Sequence, residues 1–380
     1  MKIRLLKIKL EEILDIVANI CLKKNDLNIL NNFLLTASDN KVEILATDLE
    51  INYQTKFEAQ IEKKGKVLIP AKLFQKIINN FYDDEVILEK KNNNLEIKGE
   101  GIFANISSLT EEEYPIFSEI QKDKFIEIET EILDDYLDKL WPILTTADIR
   151  PEFNGILFHL KSNELILITT DTIRLAEVKI KPAFYQTNLE ADYKVLIPKR
   201  IFQEYRRVKR KTGKLKIYIE ESQVSFEIND QLFTTKLFSV EYPPYEKIKP
   251  NSFIISFDVN KKQILNAFNL NKVFMNQFKE LTFNLEPQTN ELKLISQNEV
   301  LGENTNVLKV NVHKNKDYIY ETYSLKFNLD FLIDGFSAID SEEVFCGFFT
   351  GISETSKPLL IKPKPETEDD FIYILMHYSS

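Results

Sequence analysis

Residues 66–79 read KVLIPAKLFQKIIN, and residues 194–207 read KVLIPKRIFQEYRR. Each stretch starts as a short apolar strand, Val67-Leu68-Ile69 or Val195-Leu196-Ile197. Each then meets a proline, Pro70 or Pro198, and continues at helical spacing. Leu73, Phe74 and Ile77, like Ile201, Phe202 and Tyr205, fall at i, i+1 and i+4 and predict one apolar stripe. Proline suits the first turn of a helix, where its missing N–H would have no partner. A strand–proline–helix phrase that occurs twice makes internal duplication the first question.

The duplication extends outward in both directions. The first copy predicts a strand at 3–6 and a helix over 9–22 with Leu10, Ile13, Leu14, Val17 and Ile20 inward. Strands at 27–35 and 42–45 flank an Asp39-Asn40 turn, and ATDLEI follows at 46–51. After the opening phrase come strands near 85–88, 95–98 and 102–106, then Tyr114-Pro115. The second copy repeats the order. It has a strand at 125–128, a helix over 130–147 with Leu133, Leu137, Leu140 and Leu144 on one side, strands at 154–158 and 165–168, TTDTIRL at 169–175, the phrase, and Tyr242-Pro243. The step from Leu14 to Leu137 equals that from Asp48 to Asp171, and the step from Pro70 to Pro198 equals that from Tyr114 to Tyr242. The second step is slightly longer, which places an insertion in the loop containing Pro182–Tyr185. A fainter third copy has a strand at 253–257, a helix from about Asp258, Ser296-Gln297-Asn298 in place of Thr-Asp, a proline-free version of the phrase at 323–332, and a last strand at 371–376. Three α+β domains follow, at 1–123, 124–250 and 251–380, each with two helices packed on an antiparallel sheet.

Composition narrows the class. The chain has 380 residues, 43% of them hydrophobic and 28% charged, as in a globular protein too long for one core. Its two cysteines, Cys21 and Cys346, lie far apart and make no disulfide framework. Charges interrupt the N-terminus every few residues, unlike a signal peptide or membrane span, so a cytoplasmic protein without membrane association is expected. The net charge of −10 alone argues against nucleic acid, yet the signs are segregated, and 199–216 is the densest basic run. An enzyme would need a catalytic constellation, and none is visible. Asp48 and Asp171 occupy equivalent places in different copies, where a Thr-Asp turn is the simpler reading. His159, His313 and His377 make no metal spacing, and no phosphate loop or nucleophile elbow appears, so neither a cofactor nor a metal is expected.

From Met1 to Met376 the chain resembles the bacterial sliding clamp, the beta subunit of the DNA polymerase III holoenzyme. The most specific matches are LNILNNFLL at 27–35, ATDLE at 46–50 and RPEFNGILF at 150–158. Thr170-Asp171 with Arg174-Leu175-Ala176, YPPY at 242–245 and YILM at 373–376 add to them. The resemblance implies a head-to-tail homodimer closed into a ring of six domains around duplex DNA, with helices facing the hole. It implies replicative polymerase, clamp loader and other motif-bearing proteins as partners. The family's peptide pocket would map onto Phe153, Thr170, Ile173, Arg174, Leu175, Pro243, Lys247, Ile248, Ile374 and Met376, with two cations at its rim. The chain departs from the family at Thr172-Ile173, usually Gly-His, and at His377, usually proline. Lys24 and Arg150 match the family's DNA-contacting positions, and the residues themselves add Lys199, Arg206, Arg207, Lys209 and Arg210. On Lys199-Arg200 and Arg206-Arg207, the second domain is expected to grip DNA harder than the first. For the dimer seam, the resemblance sets the strand around Ile106 against a helix end near Val273 and Phe274. The rival reading is a peptide-binding scaffold of three repeats without DNA.

Overall fold

The computed structural model describes residues 1–22, 27–115, 117, 119–144, 150–162, 164–313, 322–351, 356–365 and 371–378. These residues hold six α-helices, two per copy: α1 Lys7–Ile20, α2 Ala71–Asn79, α3 Thr130–Leu144, α4 Lys199–Tyr205, α5 Lys261–Val273 and α6 Leu329–Ser337. The predicted inward residues of α1 and α3 are all buried. In α2 the buried stripe is Ala71, Phe74 and Ile78, while Leu73 is exposed, a rotation of the face from that expected. Among the described residues, no helix is long and apolar enough to cross a membrane.

The two prolines sit one position earlier than expected. Pro70 and Pro198 are the N-caps of α2 and α4, each closing the strand before it. Both strands, Gly65–Pro70 and Tyr193–Pro198, lie at sheet edges, where a missing N–H removes no ladder bond. In the third copy Asn328 takes the same place, and its side chain accepts from the Phe331 N–H at 3.2 Å. The missing proline is therefore replaced by a side-chain cap.

Two compact units emerge. The first comprises Met1–Asp134, Phe184–Leu189 and Ile197–Ser239. It contains a five-stranded antiparallel sheet in the order Gln60–Lys63, Lys2–Leu6, Glu85–Lys91, Asn94–Gly99, Ile102–Ser107. Its other sheet has nine strands: Tyr185–Thr187, Phe125–Glu129, Lys214–Ile219, Gln223–Ile228, Gln231–Lys236, Ile51–Glu58, Lys41–Thr47, Asn32–Ser38 and Gly65–Pro70. The expected strand at 27–35 begins only at Asn32, after a 3-10 turn over Asn28–Asn31.

The second unit comprises Asp135–Ala183, Glu190–Leu196 and Val240–Ser380. Its nine-stranded sheet runs Tyr193–Pro198, Gly155–Lys161, Glu164–Thr170, Arg174–Ile180, Ile372–Leu375, Leu359–Lys364, Glu343–Phe348, Ile255–Asn260, Asn311–His313. A four-stranded sheet runs Gly302–Lys309, Glu291–Asn298, Glu280–Glu286, Tyr323–Asn328.

The nine-stranded sheets join copies. Strand Ile51–Glu58 of the first copy pairs with Gln231–Lys236, the last strand of the second, with Thr55 opposite Gln231 and Ile51 opposite Thr235. Likewise Arg174–Ile180 of the second copy pairs with Ile372–Leu375 of the third, Arg174 opposite Leu375 and Glu177 opposite Ile372. In both junctions the strand after the Thr-Asp turn receives the closing strand of the next copy.

Candidate functional site

The turn before each junction strand is built from its own side chains. Asp48 Oδ1 accepts from the N–H groups of Glu50 and Ile51 at 3.0 and 2.9 Å. Asp171 Oδ1 accepts from Ile173 and Arg174 at 3.1 and 2.9 Å. Asn298 does the same for Val300 and Leu301 at 2.9 and 3.0 Å, so the third copy keeps the turn with an amide. The Thr-Asp pairs are turn formers, as the sequence suggested. Thr172 takes φ +80°, a left-handed conformation that strains a β-branched residue.

Around the Asp171 turn, the structure gathers most of the expected pocket residues. Leu175 and Ile374 face each other across the sheet and join one buried cluster with Tyr245, against which Ile248 packs. The Met376 N–H donates to the Ile173 carbonyl at 2.8 Å, and Ile173 is 46% exposed. Thr170 Oγ1 donates to the Arg174 carbonyl at 2.7 Å. Lys247 and Ile248 lie on the turn Tyr245–Ile248, with Lys247 exposed and Pro243 half-buried just before it. Phe153 is buried beneath the Arg150 guanidinium, 4.4 Å from its ring centre.

Arg174 is not a rim cation. It is 2% exposed and donates to Asp171 Oδ2 at 2.8 Å, Asp334 Oδ2 at 2.6 Å and the Pro142 carbonyl at 2.9 Å. Its guanidinium also stacks 3.9 Å from the Phe331 ring centre. With its donors engaged below the surface, it braces the turn and leaves Lys247 as the exposed cation of the set.

The polar underside of the Tyr245–Ile248 turn was missed in the sequence. His159 Nδ1 lies 2.7 Å from the Tyr245 hydroxyl, and both side chains are buried. Burial holds the imidazole pKa below its ordinary value, helped by the nearby Lys194. Only the alternation of a histidine inside an apolar strand hinted at it.

The expected DNA cations divide. Lys24 lies outside the described residues. Arg150 folds over Phe153 and lies 3.5 Å from Glu152. Arg206, Arg207, Lys209 and Arg210 are exposed and Lys199 is half-buried. Arg200, expected beside them, belongs to a buried network instead: it donates to Asp48 Oδ2 at 3.0 Å and Glu204 Oε1 at 2.6 Å, and Arg207 Nε reaches Glu204 Oε2 at 3.3 Å. Burial pushes the Glu204 carboxyl up, and the two arginines oppose that shift.

At the expected seam, Ile106 is only 6% exposed, because it points into the first unit; Phe103 on the same strand is 63% exposed. Val273 is exposed at the end of α5 and Phe274 is half-buried. Among the described residues, no group of three or more His, Cys, Asp or Glu gathers as for a metal.

Comparison with known proteins supplies a family. Residues 1–118 match the N-terminal domain, 127–244 the central domain and 246–379 the C-terminal domain described for the DNA polymerase III beta subunit. The "Beta sliding clamp" of Staphylococcus epidermidis is 25% identical over 355 residues, 90% of each chain. That of Staphylococcus aureus is 23% identical over 352 residues, again 90% of each. Among solved structures, DNA polymerase III subunit beta from Pseudomonas aeruginosa has a TM-score of 0.88 at 20% identity, covering 100% of both chains. The DNA polymerase sliding clamp from Bacillus subtilis has a TM-score of 0.89 at 21% identity, covering 100% of this chain and 99% of that one.

Proposed function

This chain belongs to the DNA polymerase III beta subunit family, and from that premise we propose that two copies close head to tail into a ring that slides on duplex DNA. The ring is a non-catalytic, cytoplasmic processivity factor. Its domains run 1–123, 124–250 and 251–380, and its pocket around Leu175, Ile248, Ile374 and Met376 takes peptides from the replicative polymerase, the clamp loader and other partners.

One observation carries the reading. Two junctions within the chain join the strand after an Asx turn to a closing strand, and by the repeat a third is owed. Its halves are Gly302–Lys309, after the Asn298 turn, and Ile102–Ser107, which closes the first copy; both lie at the edge of their sheets. Their counterpart Arg174–Ile180 is almost wholly buried, whereas Gly302–Lys309 alternates between exposed and half-buried, with Val307 51% exposed. Edges this open invite a further strand. Two chains that satisfy each other's open edges make a closed ring of six copies.

Closure explains why loose contacts suffice. Cations that touch phosphates without reading bases hold DNA in any register, and topology keeps the ring on. The test is retention on a nicked circular duplex after loading. We expect the protein to stay through gel filtration and to be shed when the circle is linearised. A complex indifferent to linearisation, or a monomer at every concentration, would sink the reading.

A further inference from the structure

The exposed part of the basic run does not stand alone. Lys209 Nζ lies 2.6 Å from Asp15 Oδ2, and Arg210 Nη1 lies 3.4 Å from Glu12 Oε1; both carboxylates are on α1. Lys209 also reaches the Glu11 carbonyl at 3.4 Å. Asp15 is fixed from a second side by Gln75 Nε2 at 2.8 Å, and Glu12 lies 3.5 Å from Lys9. The next cation, Lys211, is held by both oxygens of Asp134 at 2.8 Å. These carboxylates come from the first copy or the start of the second, and the cations from the loop after α4.

Such pairs contribute little to stability, because water screens them: Lys209 and Asp15 are 50% and 44% exposed, Arg210 and Glu12 73% and 25%. Exposure does leave each cation reachable by a third party. A phosphate approaching Lys209 or Arg210 competes with a carboxylate already seated beside it. The hydrogen bond from Lys209 holds the Asp15 carboxyl below its ordinary pKa, so it stays ionised and in competition at neutral pH.

We propose that Glu12 and Asp15 are built-in counter-anions that weaken the pull of Lys209 and Arg210 on the DNA backbone and so keep the second copy's grip loose. This rests on the sliding-clamp reading and revises the expectation that the second domain grips DNA harder than the first. A seated carboxylate plays the part that a condensed counter-ion would otherwise play, and a sliding ring gains from contacts that form and release readily. Each cation freed of its carboxylate adds about 0.9 to the salt slope of binding.

The experiment is equilibrium binding to a linear duplex oligonucleotide by fluorescence anisotropy over a salt series. The proteins are the wild type, the Glu12→Gln/Asp15→Asn double variant, and the same two substitutions in a Lys209→Gln/Arg210→Gln background. We expect the double variant to bind several-fold tighter at low salt, with a slope steeper by roughly one to two. In the Lys209→Gln/Arg210→Gln background the carboxylate substitutions should change nothing. Equal affinity and slope in wild type and double variant would overturn the inference. Tightening that persists without Lys209 and Arg210 would also overturn it, since net charge alone would then account for it. Retention of the wild type on circular DNA separates the two readings: if it is lost, the clamp reading fails as well; if it holds while these variants bind alike, only the counter-anions fail.

Discussion

His159 sits under the turn that carries Lys247 and Ile248, and its environment is crowded with charge. Asp192 Oδ1 is 3.5 Å from Nε2, Glu246 Oε1 3.8 Å from Nδ1, and Lys194 and Lys161 act on it from nearby. Because burial lowers its folded-state pKa, the unfolded chain binds the proton first as pH falls. Its contribution is therefore complete above the ordinary value of 6.5 and is lost as pH falls through that value toward the folded one. Urea midpoints should drop between about pH 8 and about pH 5.5 in the wild type, and less in His159→Gln. Parallel drops in both proteins would show that His159 is not the titrating group. The arginines act by pairing instead: Arg174 joins Asp171 to Asp334, and Arg200 joins Asp48 to Glu204. Positions that a sequence reader counts as surface charge are here internal braces.

At the scale of elements, the proposed assembly rests on two edge strands. Among the described residues, the closing strand Ile372–Leu375 is paired on both sides, whereas Ile102–Ser107 is paired on one side and ends its sheet. In the proposed ring, closure would bury the exposed Phe103 and Val307 and give the backbone edges ladder bonds. A charge placed there opposes both. Phe103→Asp or Val307→Asp should convert the dimer to monomer, with dissociation raised roughly tenfold or more by the loss of about 1.5–3 kcal/mol of aromatic or aliphatic burial. Sedimentation equilibrium reads the outcome. An unchanged dimer in both variants would place the seam elsewhere. Ile106→Ala makes a useful contrast, since that side chain faces its own unit and should lower the unfolding midpoint instead.

At the scale of the whole molecule, the proposed function puts topology and recognition in different places. The proposed ring closure would use edge strands of the first and third copies, whereas the proposed pocket residues Ile248 and Met376 belong to the second unit. Replacing both with alanine should weaken binding of a peptide carrying a Gln and a C-terminal Leu-Phe by roughly tenfold or more, since both would help form the wall that holds the anchor side chain. The same protein should remain on circular DNA as long as the wild type does. Peptide anisotropy and retention on circles measure the two halves separately, and unchanged peptide affinity would remove the pocket assignment.

Much of this was legible in the chain. Apolar spacing gave α1, α3 and their buried faces, because a helix that must bury one side has to place those residues at that period. The Thr-Asp turns were legible too, since an Asp side chain satisfies backbone groups within three residues of itself. The duplicated phrase at 66–79 and 194–207, with its proline-free version at 323–332, set the copy number. What the sequence left open depends on contacts between residues far apart. Whether Arg200 meets water or Asp48, whether Arg174 lines a rim or braces a turn, and which face of Ile102–Ser107 is bare are settled by what packs across from them. Charge and hydrophobicity are properties of a residue, and they fix local structure. Exposure and pairing belong to two residues at once, so only the tertiary fold decides them.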